Sequence, residues 1–234
     1  MLPADRRAEW FVPSFGPERF RIAVGLLFLP YTGMVLSYTV IGSMLAPAIH
    51  WDRVGAIVVI YFLALGIGAH ALDALGSRAA KPWGQAFSRR GLWMLAAASI
   101  AAAYAIGVWY MVRHAPLLWP IAVLEGFFLL AYNLEWFGGR FHRDAWFAFS
   151  WGALPVLAGY VLQTNAVSAG AIAVAAAMAL LSLVEIKASR PYKALKQARA
   201  PDAAHMACLE TILKSLSAGV VLLGAGMLVW RLWV

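Results

Sequence analysis

The segment "VGAIVVIYFLALGIGAHALDAL" (residues 54–75) has no charged side chain before Asp73. A helix needs about 20 mostly apolar residues to cross the hydrocarbon core of a bilayer. Six other runs have the same character, so the sequence predicts about seven transmembrane helices. The seven runs cover residues 22–46, 54–75, 91–112, 117–137, 145–163, 167–186 and 207–230.

The composition places the chain in the membrane class. Of its 234 residues, 63% are hydrophobic and 13% are charged, whereas about 25% are charged in soluble domains. Lipid offers no backbone partners, so an unclosed chain must span it as helices, and we expect an all-α bundle forming a single domain over residues 1–234. The lone Cys208 excludes an intrachain disulfide and a CxxC metal site. No cleaved signal peptide is predicted at the N-terminus.

The distribution of lysine and arginine predicts the orientation. These residues crowd the N-terminal segment 1–20 and the loops after the second, fourth and sixth helices, whereas the alternate loops carry few. Basic residues mark cytoplasmic loops, so we expect the N-terminus in the cytoplasm and the C-terminus outside, in an inner or plasma membrane. The net charge of +8 then fits contact with anionic membrane lipids, and no nucleic-acid partner is predicted.

Ionisable residues gather where the even-numbered helices end. The three pairs are His70 with Asp73, Glu135 with His142, and Glu185 with Lys187. In the predicted orientation all of them lie at the cytoplasmic level of the membrane. Ionisable groups at membrane depth usually face the bundle interior or water, so these residues are candidates for one shared cavity.

Three stretches carry a family resemblance. They are "ALDALGSRAAK" (71–81), "AYNLEWFGGRFHRDAWFAFSWGALPVLAGYVLQTN" (131–165) and "SLVEIKASRPYKALKQ" (182–197). Their positions and the Gly-x-x-Pro pattern of the fifth helix resemble the UbiA superfamily of intramembrane prenyltransferases. The resemblance implies a UbiA-like bundle in which acidic motifs after helices two and six hold Mg²⁺, which in turn holds a polyprenyl diphosphate.

The chain departs from that pattern at the acids. The first motif's carboxylate positions fall on Ala74, Ser77 and Lys81, and in the second motif Glu185 alone is acidic. Mg²⁺ prefers several hard oxygen ligands, so we expect the usual magnesium-dependent chemistry to be lost or altered, and no cofactor is assigned. Family members have nine helices, against about seven predicted here.

Three interpretations of the polar residues stay open. They form structural pairs that close the bundle, a metal-free anion site, or a site for another metal. The candidate catalytic residues are Asp73, Glu185 and Tyr132. The candidate substrate-binding residues are His70, Asn133, Arg140, Lys81, Lys187 and Arg190. The candidate metal ligands are His70, Asp73, Glu135, His142 and Glu185.

The sequence therefore predicts a protein that handles an isoprenoid or other lipid in a cavity open to the cytoplasm, including prenyl transfer by a non-standard mechanism. The alternative is a non-catalytic accessory subunit that packs against partner subunits of a larger membrane complex. A lipid handler should have a deep cavity lined by His70, Asp73, Tyr132, Glu135 and Glu185. An accessory subunit should have that space filled by side chains.

Overall fold

The structure is a computed structural model that describes residues 9–76, 87–198, 200 and 202–233. Within these residues the chain is helical throughout, with short connections and no β-strand. The main helices are α1 (Glu18–Leu27), α2 (Leu29–Met44), α3 (Trp51–Gly76), α4 (Arg89–Arg113), α5 (Leu118–Asn133), α6 (Asp144–Thr164), α7 (Ala169–Gln197) and α8 (Ala203–Trp233). The prediction of an all-α chain is confirmed.

Five of these helices, α3, α4, α6, α7 and α8, are long and apolar enough to cross a membrane. A sixth span forms if α1 and α2, which meet at a bend of 43°, are counted together. Helix α5 coincides with the predicted fourth span, but its 16 residues extend only about 24 Å, less than the roughly 30 Å of a hydrocarbon core. The described helices therefore support an integral membrane protein with five or six clear spans, and the count of seven stays a prediction.

The bend between α1 and α2 is built into the sequence at Phe28 and Pro30. Phe28 has a left-handed backbone, with φ of 46°, and Pro30 lacks the N–H that a continuous helix would need. The Thr32 hydroxyl donates to the Leu27 carbonyl at 2.6 Å, which satisfies an acceptor at the end of α1. The bend leaves Phe28 buried, with its ring 4.3 Å from that of Tyr31.

Two helices widen into π-helical segments beside the candidate site. The first covers Phe62–Ala69 in α3 and ends immediately before His70, and the second covers Ala148–Ala153 in α6 and includes Trp151. π-Helical segments inside α-helices occur often at functional sites because they re-aim the side chains that follow them. Here His70 follows the first segment and Trp151 lies within the second, and both rings line the cavity described below.

Helices α2 and α6 approach each other closely at two glycines. A Cβ added to Gly42 would lie 2.0 Å from the Val156 carbonyl oxygen, and one added to Gly159 would lie 2.1 Å from the Thr39 carbonyl oxygen. Only glycine permits this approach, as expected for helices that pack in lipid. Helix α6 lies at the centre of the bundle, since 78% of the residues in its most apolar stretch are buried, against 22% for α8.

The loops at the end of the bundle away from the site are tied together by polar contacts. The His50 N–H donates to Gln163 Oε1 at 2.7 Å, and the Leu117 N–H donates to Asn165 Oδ1 at 2.9 Å. The Arg231 guanidinium donates to the Pro47 carbonyl at 3.0 Å. The opposite end, where α3, α5 and α7 finish, contains an open cavity.

Candidate functional site

A cavity of about 250 Å³ lies between the bend of α1 and α2 and the ends of α3, α5 and α7. Its walls combine aromatic rings with basic, acidic and hydroxyl groups. The described lining residues are Phe28, Tyr31, His70, Asp73, Tyr132, Asn133, His142, Phe147, Trp151, Ile186, Ser189, Arg190 and Lys193. The cavity therefore combines polar and apolar walls at the end of the bundle where the sequence predicts a shared site.

Six of the predicted site residues are brought together in this lining. They are His70, Asp73, Tyr132, Asn133, His142 and Arg190. They come from helices α3, α5 and α7 and from the loop before α6. Residues as distant in the chain as His70 and Arg190 therefore line the same cavity. The cavity lies where the ends of α3, α5 and α7 come together.

Two predicted carboxylates, Glu185 and Glu135, are not part of the lining. Glu185 is only 3% exposed, and its Oε1 has no hydrogen-bond partner among the described residues. It adjoins the cavity-lining Ile186, but successive helical residues are turned by about 100° around the helix axis. Glu135 follows the end of α5, where its φ of 52° turns the chain away from the helix. Neither acid is among the described lining residues, and the roles predicted for them at the site stay predictions.

Three predicted cationic residues also fall outside the described lining. Lys187 contacts Asp144, with 2.7 Å between Nζ and Oδ2, and its side chain is 67% exposed. Arg140 is exposed in the loop before α6. Lys81 lies outside the described residues. No ion pair between Glu185 and Lys187 is found among the described residues, because Lys187 pairs with Asp144, as Arg190 also does.

Flat rings form much of the cavity wall. The His70 ring lies 5.7 Å from both the Phe28 and the Trp151 rings, measured between centroids. Trp151 stacks on Phe147 at 5.4 Å, with an interplanar angle of 16°. On the other side Tyr132 stacks on His142 at 4.4 Å. Such faces suit an apolar or unsaturated chain, or a cation.

The basic side of the cavity is positioned by neighbouring groups. Arg190 Nη1 lies 2.9 Å from Asp144 Oδ1, and Nη2 donates to the His142 carbonyl at 3.4 Å. The Lys193 ammonium lies 5.2 Å from the centre of the Phe28 ring. Two cations thus face the cavity from successive turns of α7, where anions would be attracted.

Hydroxyl groups fix the floor of the cavity. Tyr31 donates to Ser189 Oγ at 2.9 Å, which ties α2 to α7, and Thr32 Oγ1 lies 3.4 Å from His70 Nε2. Tyr31, His70 and Ser189 all line the cavity, so the bonded hydroxyl groups form part of its polar wall.

The described donors do not fit a magnesium cluster or the predicted mixed metal site. No group of three or more His, Cys, Asp and Glu side chains in the described ranges is arranged to hold a metal ion. In the cavity Asp73 is the one carboxylate of the described lining, and it shares the space with Arg190 and Lys193. Mg²⁺ needs several oxygen ligands and would be repelled by these cations. No metal-dependent step follows from this geometry.

Four residues at or beside the cavity were not predicted as site residues from the sequence. Lys193 appeared only within a basic run, and Asp144, Phe28 and Trp151 carried no assigned role. The signal was present in α7, because cavity-lining positions 186, 189, 190 and 193 repeat at the three- and four-residue spacing of one helix face. Asp144 could be found only from the structure, since its partners lie more than 40 positions further along the chain.

The chain was compared with family models, with characterised proteins and with solved structures, and no match was found in any of the three comparisons.

Proposed function

We propose that this protein is a UbiA-like integral membrane protein that binds an isoprenoid diphosphate in the cavity between α3, α5 and α7. The observation that carries the proposal is the joint placement of Arg190 and Lys193 with the aromatic walls in one cavity. An isoprenoid diphosphate has the matching pair of parts, a compact anion and an unsaturated apolar chain. The family resemblance of the sequence motifs supports the same ligand class.

The anion would sit against α7. A guanidinium can hold two phosphate oxygens at once, and an ammonium acts as a compact positive charge. Asp144 holds Arg190 from one side, which restricts the guanidinium without closing the cavity. Asp73 disfavours an anion beside α3, so the diphosphate is expected to lie nearer Arg190 and Lys193.

The isoprenoid chain would run along the rings of Phe28, Phe147 and Trp151. Ring faces attract positive charge, so the same wall would stabilise an allylic cation if the bond between carbon and diphosphate oxygen broke. Arg190 and Lys193 would then stabilise the leaving diphosphate in place of Mg²⁺, and Asp73 would accept the proton released by an acceptor molecule. Prenyl transfer by this route is the catalytic form of the proposal.

We further propose seven spans with a cytoplasmic N-terminus and a C-terminus on the outer side. The bent pair α1 and α2 would serve as one span, and α5 would cross with local thinning of the bilayer or with its flanking loops at the interface. This orientation opens the cavity to the cytoplasm, where soluble isoprenoid diphosphates could enter.

The test is equilibrium binding of radiolabelled farnesyl diphosphate to the protein in lipid nanodiscs, without added Mg²⁺. We expect saturable binding that excess farnesyl diphosphate abolishes and that inorganic diphosphate or farnesol weakens only at higher concentration, since each carries half of the ligand. Equal competition by dioleoyl phosphatidic acid would identify a general lipid-phosphate site instead. Absence of saturable binding would overturn the proposal and favour the accessory subunit.

A further inference from the structure

A second polar position lies in the interior of the bundle, between α3, α4 and α5. Glu125 Oε1 accepts a hydrogen bond from the Tyr61 hydroxyl at 2.7 Å. Glu125 is the eighth residue of the 16-residue α5, so roughly 10 Å of helix lies on either side of it. An ionisable residue at mid-membrane depth is costly and marks a functional site by default.

The carboxyl borders a cavity that shares no lining residue with the first one. This cavity has a volume of about 70 Å³ and is almost wholly apolar, with walls that include Ile60, Ala64 and Met111. Several lining residues at this depth, among them Tyr104 and Glu125, are partly exposed at the side of the bundle. In the seven-span arrangement proposed above, this side would face lipid, and the cavity would open laterally to the bilayer.

The polar groups of this cavity are only partly satisfied. Tyr61 donates to Glu125, and the Tyr104 hydroxyl donates to the Ala122 carbonyl at 2.8 Å, so both phenolic donors are used. Glu125 Oε2 has no hydrogen-bond or ion-pair partner in the described part of the chain. A carboxylate without a cation is disfavoured in lipid, and a proton on Oε2 gives a donor that points to no protein acceptor.

We propose that this cavity binds the hydroxyl end of a linear neutral lipid, such as a long-chain primary alcohol, with Glu125 as the polar contact. A hydroxyl oxygen can accept from the carboxyl O–H, and the hydroxyl proton can donate back to the carboxyl group. A cavity of about 70 Å³ admits this end and a few carbons, and the remaining chain extends between α4 and α5 into the bilayer. An anionic headgroup is excluded by the carboxyl and by the apolar walls.

The proposal is independent of the isoprenoid diphosphate site, because the two cavities have no residue in common. The probe is a 16-carbon primary alcohol with a diazirine close to its hydroxyl, photolysed with the protein in nanodiscs and mapped by peptide mass spectrometry. We expect labelling of α3, α4 and α5 near Tyr61, Tyr104 and Glu125. Unlabelled hexadecanol should compete, and hexadecane should not.

Three variants give the proposal its sharpest test. Glu125→Gln keeps a neutral donor and acceptor and should retain labelling, whereas Glu125→Leu should reduce it about ten-fold through loss of the buried hydrogen bond. Gly107→Leu should also reduce labelling, because a Cβ there lies 3.9 Å from both Ile60 Cδ1 and Met111 Cε, so a longer side chain would occupy the cavity. The matched control is Gly226→Leu on α8, where an added Cβ meets nothing within 4 Å.

The outcomes separate clearly. Labelling that persists in Glu125→Leu and in Gly107→Leu, or equal competition by hexadecane, would overturn the proposal. Loss in Glu125→Gln as severe as in Glu125→Leu would also overturn it, because an amide keeps a neutral donor and acceptor and should still hold the hydroxyl group of the alcohol. If Glu125→Leu fails to fold, as judged by gel filtration and circular dichroism, the comparison of Gly107→Leu with Gly226→Leu decides.

Discussion

Asp144 and Arg190 form an ion pair, with 2.9 Å between Oδ1 and Nη1, that joins the first residue of α6 to the cavity-lining face of α7. Lys187 contacts the other carboxylate oxygen, Oδ2, at 2.7 Å. An acidic group at a helix N-terminus is also favoured by the helix dipole. Asp144 therefore connects the end of the central helix to the cation that the proposed ligand needs.

The first prediction concerns this positioning. Asp144→Asn removes the charge that restrains Arg190, so farnesyl diphosphate affinity should fall about three- to ten-fold. Lys187→Ala removes the more exposed partner of Asp144, so its effect on affinity should be within about two-fold. Both affinities are measured by the nanodisc binding assay. Equal losses in the two variants would contradict the positioning role of Asp144.

The second prediction separates the effect of the planar guanidinium geometry of Arg190 from the effect of its positive charge. Arg190→Lys keeps the positive charge but cannot hold two phosphate oxygens in one plane, so its affinity should lie between those of wild type and Arg190→Ala. The matched control is Arg113→Ala, at the end of α4 near the loops that lie opposite the cavity. If Arg190→Lys and Arg190→Ala bind alike, planar contact dominates. If neither differs from wild type, Arg190 does not contact the ligand.

The third prediction concerns the buried carboxyl of Glu185. Because Oε1 has no partner among the described residues, Glu185→Met should remove an unfavourable buried oxygen at nearly constant volume. We expect an increase of roughly 1–3 kcal/mol in the free energy of unfolding, seen as a higher midpoint in thermal melts in detergent. Ligand affinity should stay unchanged, since Glu185 does not line the cavity. A destabilised variant that loses ligand binding would restore Glu185 to the site.

The fourth prediction concerns topology. In a Cys208→Ser background, a cysteine at Ser88 should react with a membrane-impermeant maleimide only from the cytoplasmic side. A cysteine at Val167, which is 52% exposed at the opposite end of the bundle, should react only from the outer side. The native Cys208 must be removed because it is exposed. Labelling of Ser88→Cys from outside would reverse the proposed orientation.

The helices were predictable because lipid forces each spanning segment to satisfy its own backbone, which leaves an apolar run as a direct signal. The predicted runs overlap α2 to α8, but the run 167–186 missed that α7 continues to Gln197, where a loop was predicted. The run starting at residue 22 also did not reveal the bend at Phe28. A bend depends on one residue's left-handed conformation, which the hydropathy of the run does not record. The short α5 likewise shows that an apolar run can extend beyond its helix.

The sequence predicted which helix ends lie together at the site, but it did not predict which way each side chain is turned. Charge asymmetry put the ends of α3, α5 and α7 together, and His70, Asp73, Tyr132 and Arg190 line one cavity there. The direction of Glu185 depends on a rotation of about 100° from its neighbour, which the resemblance to a family motif did not record. Glu125 had a readable signal, an acid in the middle of an apolar run, but it fitted no motif and its partner Tyr61 lies on another helix.

The most direct test of the central claim is the dissociation constant of farnesyl diphosphate for the Arg190→Ala, Lys193→Ala double variant, measured in nanodiscs beside wild type and Arg113→Ala. Charge-assisted contacts contribute about 1.5–3 kcal/mol each, so the loss of two of them predicts an affinity about 100-fold weaker or more in the double variant. It predicts an unchanged affinity in the control, with all three proteins folded by gel filtration. Equal affinity in all three proteins would contradict the claim that this cavity binds an isoprenoid diphosphate.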